Sequence, residues 1–406
     1  MRRLATLAIG ALALVAMLIA GCGSKSKATP TATSQAATSP TSAATSTEPI
    51  KLGMITSLTG NFSVLGQFDR NAVQLIVDQV NKAGGVNGRK VDVQILDDQS
   101  NPTQAAVVAR QLISSGVSAI VGPVFSSNCL AVLDAVEAAK IPMITTCASD
   151  SQVNPVRPYI FMAPPTAGIV ADKLMAYLQA KGLTKIAVIH DTTEFGKAGW
   201  DAIKRDAGKY GLTVVDEEPY DITATSFVPG LTHVKNSGAQ ALISWGAGPP
   251  AVTITKEFRQ LGLTIPLLFS HAQASPLYIK PAGSAADGVI VGTSLGAMGQ
   301  YLPDGNPSKS VILAFDKAYE AAYNGAPAEF AYDAYGAIHM ILNAIAKVGT
   351  NPQAIQKQLE QTTFVSTDGT YHYSATNHAG LGPDAVWVAR VQNGQMVPTN
   401  FSKNGK

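Results

Sequence analysis

Ser115-Gly116-Val117-Ser118-Ala119-Ile120-Val121 returns later in the chain as Ser237-Gly238-Ala239-Gln240-Ala241-Leu242-Ile243. Ile141-Pro142-Met143-Ile144 returns, at nearly the same offset, as Ile265-Pro266-Leu267-Leu268. Each copy carries a turn glycine and short runs apolar enough to be strands covered on both faces. Two matches in register point to a duplicated helix–strand unit rather than to chance similarity. The fold class expected is α/β, with two doubly wound parallel-sheet lobes facing each other across a cleft.

The flanking sequence fits that reading. Ile50, Leu52 and Met54 alternate in a first strand, and Ala72, Val73, Leu75, Ile76 and Val80 share a helical face that ends at Gly84-Gly85. Val91 to Leu96 is a second strand, and Asn101-Pro102 starts a helix with Asn as its cap. Strands follow at 119–121, 143–145, 186–190, 241–244, 267–269 and 289–291.

The N-terminus sets the compartment. Met1-Arg2-Arg3 precedes an apolar run from Leu4 to Ala20, then Gly21-Cys22. A short basic start, an apolar core and small residues before a cut site read as a signal peptide, residues 1–21. The run resembles a bacterial lipobox, which implies lipid on Cys22 and attachment to the membrane outside the cytoplasm. Residues 22–48 are mostly Ser, Thr, Ala, Pro, Gln and Lys, which bury nothing and read as a disordered tether.

The body from residue 49 is close to neutral. Arg2, Arg3, Lys25 and Lys27 lie before it, as does Glu48, so 26 of the 30 basic and 27 of the 28 acidic residues remain. Without a basic cluster, nucleic acid is not an expected partner. No Cys or His spacing suits a metal, and no cofactor motif is present, so neither is expected. With Cys22 assigned to lipid, Cys129 and Cys147 are expected to form a disulfide in an oxidising compartment.

Ligands of such sheets sit beyond the carboxyl ends of the strands. In the first lobe those ends are Phe125-Ser126-Ser127 and Cys147-Ala148-Ser149. In the second they are Ala247-Gly248-Pro249, His271-Ala272-Gln273 and the loop holding Phe195-Gly196.

Several segments look like one family. Ile50-Lys51-Leu52-Gly53 through Leu58-Thr59-Gly60 and Gly66 resembles the opening of type I periplasmic binding proteins. Asn81-Lys82-Ala83-Gly84-Gly85-Val86-Asn87-Gly88, Asp97-Asp98, Val121-Gly122-Pro123 and Ile186-Ala187-Val188-Ile189-His190 resemble its branched-chain amino-acid group. The resemblance spans about residues 49 to 400. It implies a monomeric solute receptor, not an enzyme, that delivers ligand to the permease of an ATP-driven importer. It also implies a three-crossing hinge, with lobe 1 formed by 49–165 plus 295–370 and lobe 2 by 166–294 plus 371–406.

By position, the resemblance puts a ligand carboxylate on Ser126, Ser127, Ala148 and Ser149. A helix N-terminus offers free N–H donors and partial positive charge, which suits a carboxylate. Helix capping by Ser126-Ser127-Asn128 and a simple turn at Ser149-Asp150-Ser151 are the alternatives. Leu65 stands where the family carries an aromatic residue, and Phe195 where it carries a tyrosine. The family's ammonium-binding acids fall near Ala167 and near Ser270 or His271, where no carboxylate occurs. A small organic acid with a hydrophobic or aromatic tail is therefore the first expectation, and a branched-chain or aromatic amino acid the second. Leu65, Phe195 and Phe330 would hold the tail, with Gly248 nearby and His271 or Gln273 reading a polar group. Structural roles for His271 and Phe330 stand as alternatives.

Two other functions compete. Gly292-Thr293-Ser294-Leu295-Gly296 matches a nucleophile elbow, which would make Ser294 the centre of a hydrolase. Gly299, Pro303, Gly305 and Pro307 follow where an elbow needs a helix. A ligand-sensing receptor module is the other alternative.

Overall fold

The computed structural model describes residues 48–403; the signal peptide, Cys22, the tether up to residue 47 and residues 404–406 lie outside the described residues. Lobe 1 begins with β1 (Ile50–Thr56), α1 (Ser63–Lys82), β2 (Val91–Asp97), α2 (Pro102–Ser114), β3 (Ile120–Val121), α3 (Ser126–Ala139), β4 (Met143–Thr145) and β5 (Ile160–Met162). Its strands run parallel in the order β2-β1-β3-β4-β5. Both faces are covered. Leu52 and Met54 of β1 belong to one core with Val73 and Ile76, whereas Ile55 belongs to a second with Leu112, Val132 and Val136. Asn101 caps α2 as expected, its side chain accepting from the N–H groups of Thr103 and Gln104.

The chain crosses at 163–166 into α4 (Ala167–Ala180), β6 (Lys185–Asp191), α5 (Glu194–Asp206), β7 (Thr213–Tyr220), α6 (Val228–Asn236), β8 (Ala241–Trp245), α7 (Pro250–Gln260), β9 (Leu267–Phe269), α8 (Pro276–Ala282) and β10 (Ile290–Ser294). The order β7-β6-β8-β9-β10 repeats that of lobe 1 strand for strand. The sequence echo is thus a duplication of topology, with β3 and β4 matched by β8 and β9.

The chain then returns to lobe 1 through Leu295 for α9 (Pro307–Tyr323), α10 (Glu329–Val348), α11 (Pro352–Leu359), β11 (Thr363–Val365) and β12 (Thr370–His372). It ends in lobe 2 with β13 (Val386–Gln392), β14 (Gln395–Pro398) and α12 (Asn400–Lys403).

One expectation needs correction. Residues 371–385 pack in lobe 1, not lobe 2. The Tyr371 hydroxyl donates to the Ala163 carbonyl at 2.6 Å and the Tyr373 hydroxyl to that of Met162 at 2.8 Å. The Met162 N–H donates to the His378 carbonyl at 2.9 Å, and both tyrosine rings are buried in the lobe 1 core. The third crossing therefore falls between Ala385, in that core, and Val386, in the core of lobe 2. The five parallel strands of the lobe 2 sheet are extended at one edge by two antiparallel ones, β13 on β10 and β14 on β13.

Candidate functional site

The strand ends of both lobes and the start of α10 meet around a small void of about 20 Å³. Lobe 1 builds its side from three loops. The segment after β1 is fixed by the two acids that end and follow β2. Asp97 Oδ1 accepts from the N–H of Leu58 at 2.8 Å, and the Ser57 hydroxyl donates to Asp98 Oδ1 at 2.6 Å. That anchoring sets where α1 begins and where Leu65 enters the void.

The β3–α3 turn needs Gly122. Its φ is +86°, and a Cβ there would sit 2.0 Å from the Ile55 carbonyl oxygen. After the turn Phe125, in extended conformation, is the N-cap of α3, and its side chain makes no capping bond. Ser126 is therefore inside the first turn rather than a cap. The Asn128 and Cys129 N–H groups bond back to the Phe125 carbonyl, whereas those of Ser126 and Ser127 come earlier than any intrahelical acceptor. The capping alternative does not describe Ser126, which lines the void with Phe125 and Val124.

Buried Gln152 shapes the loop after β4. Its Nε2 donates to the Cys147 carbonyl at 2.8 Å, and the Thr145 hydroxyl donates to its Oε1 at 2.6 Å. This presents Thr146, Cys147 and Ala148 to the void. The sulfurs of Cys129 and Cys147 are bonded, tying the first turn of α3 to the same loop.

Lobe 2 contributes rings. Asp191, at the end of β6, accepts from the N–H groups of Thr193 and Gly196 through Oδ1 and from that of Ala247 through Oδ2. One carboxylate thus fixes both the Phe195 and the Ala247 loops. The Phe195 ring meets His271 edge to face at 5.6 Å and lies 6.0 Å from Trp245. His271 is buried, its pKa is pushed down to about 4 by desolvation, and its Nδ1 has no hydrogen-bond partner among the described residues. A neutral imidazole facing the void can donate or accept one hydrogen bond.

Of the expected residues, Leu65, Ser126, Ala148, Phe195, His271 and Phe330 line this void. Gly248 and Gln273 line an outer groove of about 340 Å³ that shares Leu65, Ala272 and Phe330 with it. Gln273 is also a fastener, its Nε2 donating to the Gly246 carbonyl at 3.0 Å. Ser127 and Ser149 line neither space. Ser127 is half-buried one residue further along α3, and the Ser149 hydroxyl pairs with that of Ser151 at 3.0 Å. Thr146 and Asp333 line the void unforeseen. Asp333 follows Phe330 by three residues and so shares its helical face, a spacing that signals their proximity once Phe330 is placed.

Ser294 ends β10 fully buried, and its N–H donates to Glu329 Oε1 at 3.1 Å. A 3-10 turn begins at Gly296, so the α-helix that a nucleophile elbow requires is missing. A larger hollow of about 490 Å³ lies between Lys173, Leu295, Tyr301, Asp384 and Trp387 and shares no lining residue with the void.

The family described as "Periplasmic binding protein" matches residues 49–395. A leucine-, isoleucine-, valine-, threonine- and alanine-binding protein of Pseudomonas aeruginosa is 28% identical over 328 residues, covering 79% of this chain and 85% of that one. The structure of a periplasmic binding protein type 1 from Bordetella pertussis superposes with a TM-score of 0.79 at 27% identity, covering 86% of this chain and all of that one. An extracellular ligand-binding receptor of Rhodopseudomonas palustris has the same fold, with a TM-score of 0.81 at 24% identity over 86% and 99% of the two chains. With two α/β lobes, three crossings and a void framed by strand ends, this chain belongs to the periplasmic binding protein family.

Proposed function

We propose that this solute-binding protein captures a small carboxylate with an apolar tail and passes it to the permease of an ATP-driven importer. The ligand is a hydrophobic or aromatic acid or a hydrophobic amino acid. One observation carries the reading: Ser126, in the uncapped first turn of α3, faces Phe195, His271 and Phe330 across the void. An anion satisfies the free N–H groups of that turn, and the rings cover an apolar tail. The void of about 20 Å³ is too small for such a ligand in this closed arrangement, which supports entry through an open form and closure about the crossings. The P. aeruginosa relative is named for leucine, isoleucine, valine, threonine and alanine, and this supports the ligand size. A lipid on Cys22 would hold the protein at the membrane where a permease operates.

The test is a thermal-shift panel of amino acids and organic acids. A ligand at about 100 times its dissociation constant adds about 2.7 kcal/mol of stability. Shifts confined to carboxylates with apolar tails are expected. A panel without any carboxylate-dependent shift contradicts the proposal.

A further inference from the structure

The larger hollow, of about 490 Å³, is walled by both lobes. Ser308 at the start of α9 comes from lobe 1, and Lys173 of α4, Trp387 of β13 and Lys403 of α12 come from lobe 2. Leu295 of the second crossing and Asp384 beside the third complete the wall. Small-molecule sites hold roughly 300–1,000 Å³, a range the hollow reaches and the void does not. Ser308 is 1% exposed, and its Oγ has no hydrogen-bond partner among the described residues. Its N–H already donates to the Asn306 side chain at 2.9 Å, so the open group is the hydroxyl. A buried hydroxyl in that state marks a place for an incoming partner. Lys173 and Lys403 set two ammonium groups against one lining carboxylate, that of Asp384. Lys173 is half-buried, so its charge is less screened than that of an exposed lysine. Tyr301 and Trp387 add rings, and Trp387, although on a lobe 2 strand, packs against the lobe 1 core.

We infer that this hollow is a second ligand site, for a small organic anion with a flat apolar body, and that filling it holds the two lobes in the arrangement seen here. The anionic group pairs with Lys173 and accepts from the Ser308 hydroxyl, and the apolar body lies against Trp387 and Tyr301. Rotation about the crossings moves the lobe 1 wall against the lobe 2 wall. A molecule fitted to both walls therefore favours one arrangement of the lobes. The hollow and the void share no lining residue, so their ligands do not compete for contacts. They are linked through the lobes, and such linkage is reciprocal. This link, unlike the site itself, rests on the reading given above, in which the lobes close on capture of a carboxylate.

The probe is 8-anilinonaphthalene-1-sulfonate, a sulfonate on flat rings, titrated into the purified chain and followed by its fluorescence. Saturable binding is expected. Lys173→Gln and Ser308→Ala should each weaken it about threefold or more. Lys181→Gln removes the same charge from the end of the same helix and should leave it within about twofold. A crystal structure of the chain with the dye locates it even if a variant fails to fold. No saturable binding, equal affinity in all three variants, or dye seen outside the hollow overturns the site. With the strongest cleft ligand of the thermal-shift panel at saturation, dye affinity should rise about fivefold or more, and saturating dye should raise the ligand's affinity by the same factor. Unchanged affinities overturn the hold on the lobes, and displacement of the dye by that ligand overturns the site. A panel without any cleft ligand is a failure of the carboxylate reading alone, and the variants and the crystal still decide the hollow.

Discussion

Asp150 of lobe 1 accepts a hydrogen bond through Oδ1 from the N–H of Ala167, the first residue of α4 in lobe 2, at 2.7 Å. Its Oδ2 accepts from the N–H of Gly168 at 3.1 Å. The turn at Ser149-Asp150-Ser151 therefore closes the N-terminal end of a helix in the opposite lobe, beside the first crossing. A negative group at that end satisfies unpaired donors and complements the helix dipole. Asp150→Ala should cost about 0.5–2 kcal/mol in denaturant unfolding. An unchanged midpoint would mean that Thr166, whose hydroxyl accepts from the Ile169 N–H, caps α4 unaided.

The acids behind the void give stability a distinct pH dependence. Burial, then the charge of Asp368, pushes Glu329 up to about 8, and burial pushes Asp368 up to about 7. Unfolded carboxyls titrate near about 4. The folded chain binds more protons across that interval, so stability falls as pH rises from about 4 to about 8. Denaturant midpoints measured along this range should decline, and Glu329→Gln should flatten the decline. Midpoints that climb with pH would contradict the burial of these acids.

Cys129 and Cys147 are 18 residues apart in sequence and hold α3 to the loop that carries Ala148. Closing a loop of this length contributes about 3 kcal/mol through restriction of the unfolded chain. Reduction should remove roughly that amount. It should also weaken ligand binding, because Cys147 and Ala148 line the void. A thiol assay on unfolded, unreduced protein carrying Cys22→Ser should find no free thiol, and two would contradict the bridge.

Cys22→Ser also separates anchoring from binding. In a native host it should move the protein from the membrane fraction to the soluble one with no change in ligand affinity. Retention in the membrane fraction would rule out a lipid at this position.

The parts of the fold that were legible in the sequence are those governed by local rules. Asn101-Pro102 announces a capped helix, and the echo of 115–121 in 237–243 announces two equivalent sheets. The third crossing was not legible. Tyr371 and Tyr373 are committed to lobe 1 by bonds to Ala163 and Met162, contacts between distant segments that no local pattern reveals. The site divides in the same way. Leu65, Ser126, Ala148, Phe195, His271 and Phe330 lie where strand-end loops and family position put them. Asp333 was hidden because it sits within a helix whose apolar pattern reads as core, and only the meeting of α10 with the void brings it to the lining.

Ligand-driven closure of the two lobes would make the protein more compact, a change that small-angle X-ray scattering measures. With the strongest ligand from the thermal-shift panel at saturation, the radius of gyration should fall below that of the ligand-free protein. Superimposable curves with and without ligand, at a concentration shown by calorimetry to be saturating, would contradict the account.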